Sequence, residues 1–134
     1  EIPYIGHGVK IAGNKEVIQL VKDKGIFLEM CPTSNRQTKA MEEMSAYPLK
    51  AFLEMGLKVT LNTDDPAIER TTLSREFRYM ESLLNLTQEQ KRLLLLNSVE
   101  AAFTSRNRKC KLKEQLFSEP YENYGEPIIY KRIK

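Results

Sequence analysis

The chain alternates β-prone and helical segments, and glycine separates them. Three short β-prone runs lie at residues 3–7, 26–30 and 57–62. Each of the first two is followed by a helical stretch that ends at glycine, at Gly25 and at Gly56. The order strand, helix, glycine, strand, helix, glycine, strand is typical of consecutive βα units, in which neighbouring strands run parallel. The pattern therefore predicts an α/β fold built on a parallel sheet.

Helical periodicity continues beyond the third strand. Apolar residues recur with helical spacing from Leu73 to Leu84, and residues 87–90 (Thr-Gln-Glu-Gln) form a capping box for a helix that runs toward Phe103. A short last helix is predicted at residues 110–117. We expect a barrel domain over residues 1–118, followed by an extended tail over residues 119–134.

The third strand ends in two adjacent carboxylates. Leu57, Val59 and Leu61 alternate with polar residues, so they share one face of the strand. Pro66 lacks an amide hydrogen and disfavours helix at the residue before it, so we expect the strand to pass into a loop. Asp64 and Asp65 would repel each other unless a cation, a shared proton or water separates them, which indicates a metal site. The alternative is a solvated turn, because Asp and Asp-Pro favour turns.

Polar residues follow all three predicted strands. His7 lies between two glycines after the first strand, a polar loop at residues 33–35 follows the second, and the acidic pair follows the third. The carboxyl ends of parallel strands meet at one edge, where α/β folds build their sites. A lone histidine is more often an ordinary surface or core residue. Three polar strand ends at one edge nevertheless favour a functional site.

Other patterns in the chain are less specific. The first helix is expected to bury Val17, Leu20 and Val21, and residues 36–44 fit either helix or loop. By strand parity, Glu29 is expected to point toward the interior of the fold.

Composition excludes several function classes. The formal net charge of the 134 residues is +3, and the basic residues are dispersed apart from residues 106–113 and 131–134, so no nucleic-acid site is indicated. Cys31 and Cys110 lie too far apart for a disulfide framework or a zinc ribbon, which favours a reducing, cytoplasmic location. The longest apolar run, residues 93–96, is too short for a membrane span. We expect neither nucleic acid nor membrane as a partner.

Three strings, taken in order, resemble the carboxyl-terminal part of the adenosine deaminase family. They are Ile-Gly-His-Gly-Val at residues 5–9, Leu-Glu-Met-Cys-Pro-Thr-Ser-Asn at residues 28–35 and Leu-Asn-Thr-Asp-Asp-Pro at residues 61–66. The resemblance runs from about residue 4 to about residue 116. It implies the last three βα units of a (β/α)8 TIM barrel plus carboxyl-terminal helices. A complete barrel takes about 250 residues, so the barrel would be incomplete in this chain.

The resemblance also implies an activity and three residue roles. The family removes the 6-amino group of adenosine or deoxyadenosine by hydrolysis at a Zn²⁺ ion, releasing ammonia and the inosine product. Asp64 resembles the zinc-ligating aspartate, Asp65 the aspartate that binds purine N7, and His7 the catalytic histidine that orients the attacking hydroxide. Purine N7 only accepts hydrogen bonds, so Asp65 would have to be protonated, a state that burial beside another acid favours.

Several residues that the family requires have no counterpart here. The family uses two histidines from its first strand, one from its fifth and a glutamate that shuttles protons, whereas this chain has a single histidine. We therefore expect this chain alone to be inactive. The missing amino-terminal part of a barrel, or self-association, would complete the site and cover the open sheet edges.

Two alternatives stay open at this point. Adenine and AMP deaminases share the acidic motif, but relatives that act on adenine tend to carry an acidic residue where Gly6 stands, and relatives that act on the nucleotide tend to carry alanine. Gly6 thus favours a purine nucleoside as the substrate. The other alternative is a catalytically inactive fragment that acts only as a folded or self-associating module.

Overall fold

A computed structural model describes residues 3–118, which form a three-stranded parallel sheet with packed helices. Strands β1 (Tyr4–Gly6), β2 (Phe27–Met30) and β3 (Lys58–Leu61) lie in the order β1-β2-β3. Tyr4 pairs with Phe27, and Phe27 pairs with Lys58, so the strands start level with one another. Their carboxyl ends therefore meet at one edge. The predicted parallel α/β architecture is confirmed.

Seven α-helices lie within residues 3–118. They are α1 (Lys15–Asp23), α2 (Pro32–Gln37), α3 (Leu49–Glu54), α4 (Pro66–Glu69), α5 (Leu73–Leu84), α6 (Gln88–Ala101) and α7 (Arg106–Phe117). Single 3₁₀ turns lie at Val9–Ile11 and Met44–Ala46. The predicted capping box is present at α6, where Thr87 and Gln90 each accept a hydrogen bond from the other's amide. Each helix is too short or too polar to cross a bilayer.

The hydrophobic core packs β2 and β3 against the helices that follow them. Strand β3 contacts α3, α5 and α6. Side chains from each of these elements are almost completely buried: Leu28, Met30, Leu49, Phe52, Val59, Met80 and Leu94. Full burial of an aliphatic or aromatic side chain contributes about 1.5–3 kcal/mol relative to exposure. The sheet is thus held most firmly at β2 and β3.

Two segments that the sequence predicts as loops are short helices. Residues 33–35 belong to α2, which begins with Pro32, and the carboxylate of Glu76 in α5 accepts the Thr33 amide at 3.1 Å. Pro66 likewise begins α4, because proline at the first helical position lacks only a hydrogen that the helix does not use. Asp65 is the N-cap of α4 and accepts the Ile68 amide at 3.2 Å.

Some details of burial and helix length also differ from expectation. Leu20 is 51% exposed, because α1 packs through Val17, Ile18 and Val21 instead. Helix α7 begins before residue 110, because the Ser105 side chain caps it. Phe103 lies beyond the end of α6 and is exposed. The predicted tail at residues 119–134 lies outside the described residues.

Candidate active site

The first component of the candidate site is His7, which directly follows β1. Its amide donates a hydrogen bond to the carbonyl of Glu29 at 2.8 Å, which extends the pairing with β2 by one residue. Its φ is 61°, in the left-handed region. Gly8 has a φ of 75°, and a Cβ there would lie 2.9 Å from Cδ2 of Leu28. Glycine at residue 8 favours this turn, because another residue would be strained at this φ and would displace the Leu28 side chain.

The second component, Asp64, shares this unusual backbone conformation. Among residues 3–118, five residues other than glycine have a positive φ: His7, Lys39, Asp64, Arg70 and Asn85. Lys39, Arg70 and Asn85 lie at the ends of α2, α4 and α5, where the left-handed conformation is common. His7 and Asp64 instead follow strands. Such backbone strain costs about 1–3 kcal/mol and concentrates at functional sites.

The side chains of His7 and Asp64 meet above the ends of the strands. His7 Nε2 lies 3.6 Å from Asp64 Oδ2, and the two side chains are 40% and 45% exposed. Ser34 Oγ donates a hydrogen bond to the same oxygen at 2.8 Å. Asp64 Oδ1 accepts no hydrogen bond from any described residue. The carboxylate is therefore oriented through one oxygen, and the other is available to a ligand.

The other nitrogen of His7 is held by a buried pair of side chains. Asn35 Nδ2 lies 3.1 Å from His7 Nδ1, and Tyr47 Oη donates to Asn35 Oδ1 at 2.7 Å. Asn35 and Tyr47 are only 2% and 3% exposed. Burial raises the pKa of the Tyr47 hydroxyl above its ordinary value, so this group keeps its proton. Sequence reasoning missed Tyr47, which belongs to no motif.

The buried carboxylate of Glu76 positions the residues beneath the site. It accepts the Thr33 amide at 3.1 Å and the Thr71 hydroxyl at 2.6 Å, and its side chain is fully buried. The Thr33 bond ties the start of α2, which carries Ser34 and Asn35, to α5, and the Thr71 bond holds the segment that precedes α5. The sequence marks Glu76 only as one polar position on an amphipathic helix, so its role could not be predicted from the pattern.

Cys31 brings a third potential metal ligand to the site. One ligand atom each from His7, Cys31 and Asp64 lies within 4.8 Å of the others. This set of nitrogen, sulfur and oxygen donors suits zinc. However, burial raises the pKa of the Cys31 thiol to about 12, the charge of Asp64 adds to the effect, and Sγ lies 3.4 Å from the carbonyl of Glu29. Only a thiolate is a good ligand, so Cys31 would have to release its proton before it could bind a metal ion.

Asp65 lies apart from this cluster. Its carboxylate caps α4 and is exposed, and no hydrogen bond or ion pair within residues 3–118 joins it to His7 or Asp64. The burial that would favour a protonated Asp65 is therefore not provided by these residues. Glu29, expected to point inward, is half-buried on β2. Thr60, on the polar face of β3, is also buried, and its hydroxyl accepts a hydrogen bond from Asn62.

Comparison with known proteins identifies relatives of this chain. The family model described as adenosine deaminase matches residues 2–119. An adenosine deaminase from Clostridium botulinum (strain Okra / Type B1) is 46% identical over 109 residues, which cover 81% of this chain and 32% of that protein. The chain spans about a third of the length of this relative.

Two solved structures share the fold. An adenine deaminase from Arthrobacter aurescens superimposes with a TM-score of 0.81 at 28% identity, over 86% of this chain and 35% of that one. The N6-methyl-AMP deaminase from Arabidopsis thaliana superimposes with a TM-score of 0.78 at 25% identity, over 89% of this chain and 35% of that one. The three strands therefore correspond to part of a TIM barrel. The chain belongs to the adenosine deaminase family.

Proposed function

We propose that this chain is the carboxyl-terminal third of a zinc-dependent adenosine deaminase, which hydrolyses adenosine or deoxyadenosine to the inosine product and ammonia. The observation that carries the proposal is the meeting of His7 and Asp64. Their side chains lie 3.6 Å apart, both remain accessible, and both follow strands with a left-handed backbone. An imidazole and a carboxylate held together at a strand edge suit metal-assisted hydrolysis.

In this proposal Asp64 is the ligand that this chain contributes to Zn²⁺. Its free oxygen Oδ1 is available to bind the ion, while Ser34 holds Oδ2. Bound zinc is a Lewis acid that makes water acidic enough to attack at neutral pH. The histidine ligands and the proton-shuttling glutamate would come from the rest of the barrel. The chain alone is therefore expected to be inactive.

The remaining two site residues act on the reactants. His7 orients the attacking oxygen, and Asp65 binds purine N7 in its protonated form. Asp65 is exposed here, so the rest of the barrel must bury it for this role. Asp65→Ala is expected to weaken binding of a ground-state purine nucleoside analogue to the complete protein. Unchanged binding would refute the role of Asp65.

Gly6 supports a nucleoside as the substrate. A Cβ at this position would meet no described atom within 4 Å, so the chain itself leaves room for a larger side chain. Relatives that act on adenine or on the nucleotide tend to carry a larger residue at this position. A free adenine base is the competing substrate, supported by the likeness to the Arthrobacter aurescens adenine deaminase.

A substrate panel tests this assignment. The complete protein, in which this chain is joined to the rest of its barrel, is offered adenosine, deoxyadenosine, adenine and AMP, and ammonia release is measured. We expect the highest kcat/KM for the two nucleosides, and a loss of nucleoside activity in Gly6→Glu. A higher kcat/KM for adenine or AMP would overturn the nucleoside assignment.

An inactive, self-associating module is the second candidate function. Strand β1 is exposed along its whole length and pairs only with β2 within residues 3–118, which leaves an edge open to another chain. Light scattering and zinc analysis of the isolated chain distinguish this module from part of a deaminase. A stable oligomer that neither binds zinc nor complements the rest of the barrel would support the module.

Both cysteines are free, which suits a reducing compartment such as the cytoplasm.

A further inference from the structure

We propose that Asn35 and Tyr47 are positioning residues that set the tautomer of His7. In the neutral ring they place the proton on Nε2, the nitrogen that faces Asp64. The catalytic meaning of this inference rests on the proposed function. Its physical content, the position of one proton, can be measured independently.

The hydroxyl of Tyr47 fixes the orientation of the Asn35 amide. This group is almost completely buried, so its proton needs an acceptor nearby. The acceptor is Asn35 Oδ1 at 2.7 Å, which is the usual length of an O–H···O bond and shorter than most N–H···O bonds. The Tyr47 hydroxyl makes no other hydrogen bond within residues 3–118. Tyr47 therefore donates to Asn35.

The orientation of the Asn35 amide in turn makes His7 Nδ1 an acceptor. Because Oδ1 faces Tyr47, the amide nitrogen Nδ2 faces His7 Nδ1 at 3.1 Å. Rotating the amide by half a turn would place its NH₂ group against Tyr47 and leave the buried hydroxyl proton without an acceptor. An amide NH₂ can only donate. His7 Nδ1 must therefore accept, and it cannot carry the proton of the neutral ring.

The ring proton of His7 then faces Asp64. A neutral imidazole has one donor and one acceptor nitrogen, so with Nδ1 accepting, the N–H lies at Nε2. Nε2 lies 3.6 Å from Asp64 Oδ2. The opposite tautomer would direct a lone pair of electrons at that carboxylate. Ser34 and Asn35, neighbours in α2, thus orient Asp64 and His7 respectively.

This assignment specifies what His7 can do in the proposed reaction. With its proton on Nε2, the neutral ring presents a hydrogen-bond donor to an oxygen beside Asp64. The nitrogen that could accept a proton, Nδ1, is occupied by Asn35. His7 therefore acts by donating a hydrogen bond to the attacking oxygen rather than by removing a proton from it.

Nitrogen-15 NMR of the labelled chain tests the inference. The chain contains one histidine, so its two ring nitrogens are observed without overlap. At a pH where the ring is neutral, we expect the Nε2–H tautomer in the unmodified chain. Asn35→Asp is expected to reverse it, because a carboxylate only accepts and will draw the proton to Nδ1. In the unmodified chain, either the Nδ1–H tautomer or the mixture of tautomers found in an unstructured peptide would overturn the inference.

A second variant and a control guard against misfolding. Tyr47→Phe removes a single oxygen and lets the Asn35 amide rotate, so we expect a mixture of tautomers. Tyr4→Phe removes a hydroxyl from the exposed strand that leads to His7 and is expected to leave the spectrum unchanged. If Asn35→Asp loses its helical circular dichroism, Tyr47→Phe decides. A spectrum of Tyr47→Phe identical to that of the unmodified chain would overturn the inference.

Kinetics of the complete protein separate this inference from the proposed function. A catalytic histidine held in the wrong tautomer loses up to about 10⁴-fold in kcat, so Asn35→Asp should lose activity on that scale with KM little changed. A merely structural role would lower the amount of folded enzyme and not kcat. The Nε2–H tautomer in a protein without deaminase activity would reject the proposed function alone. Full kcat in a folded Asn35→Asp protein would reject the inference alone.

Discussion

The two strands that carry the candidate site are supported very differently. Val59, Thr60 and Leu61 of β3 are buried, and α3, α5 and α6 pack against this strand. Strand β1 is exposed at all three residues and pairs with β2 alone within residues 3–118. Asp64 thus extends from a packed core, whereas His7 extends from an open edge.

The difference shows two ways of placing a functional side chain. Asp64 is placed by the packing of its strand and adjusted by a single bond from Ser34. His7 lacks that packing and is placed by polar contacts: its amide with Glu29 and its ring with Asn35. In the residues that the structure describes, Asp64 is supported by a packed strand, whereas His7 is held mainly by hydrogen bonds.

The largest effect is expected from removing the carboxylate of Asp64, which follows the packed strand β3. Asp64→Ala deletes the carboxylate that Ser34 and His7 contact and that is proposed to bind zinc. Deamination by the complete protein should therefore fall to the uncatalysed level, and bound zinc should be lost. Activity and zinc content are measured together. Glu42→Ala, at an exposed position, is the control and should retain both. Persisting activity in Asp64→Ala would remove Asp64 from the site.

A matched pair of truncations tests the packing difference directly. Leu61, on β3, is 2% exposed, and Ile5, on β1, is 38% exposed. Leu61→Ala should lower the free energy of unfolding of this chain by about 2–5 kcal/mol, and Ile5→Ala by about 1–2 kcal/mol, because less area is buried there. Urea unfolding followed by circular dichroism measures both. Equal losses would contradict the comparison.

Removing the Glu76 carboxylate should loosen α2, the helix that contacts both Asp64 and His7. Glu76→Ala leaves the Thr33 amide without its acceptor, at about 1–3 kcal/mol for an unpaired buried donor, and leaves the Thr71 hydroxyl with only the Thr72 carbonyl at 3.5 Å. The free energy of unfolding is again the measured quantity. Glu114→Ala, on the exposed side of α7, should change it by less than about 0.5 kcal/mol. A neutral Glu76→Ala would mean that α2 does not depend on this carboxylate.

The smallest effect is expected for the single bond that adjusts Asp64. Ser34→Ala removes the 2.8 Å hydrogen bond to Oδ2 and should weaken zinc binding by the complete protein about 10- to 100-fold. Titration against a competing chelator measures this affinity. Ser98→Ala provides the control, because that hydroxyl bonds only the Leu94 carbonyl within α6. Unchanged affinity in Ser34→Ala would leave β3 packing as the sole support of Asp64.

Local patterns predicted much of the fold. Alternating β-prone and helical periods, with Gly25 and Gly56 between them, predicted a parallel sheet of three strands, and the structure confirms it. The capping box at Thr87 was also predicted, because both of its partners lie within one turn. Residues 33–35 and the segment that begins at Pro66 were predicted as loops but are helical. The start of the first helix is bonded to Glu76, a partner 43 residues away from Thr33, which no local pattern reveals.

The sequence by itself determined the membership of the family and the choice of His7 and Asp64, because strand ends, glycines and acidic motifs are read from neighbouring residues. Only the tertiary structure decided how these side chains are held. Tyr47, Asn35, Ser34 and Glu76 act through contacts between residues distant in the chain. Hydrogen bonds of this kind require donor and acceptor to meet within about 3 Å, and only folding establishes that distance.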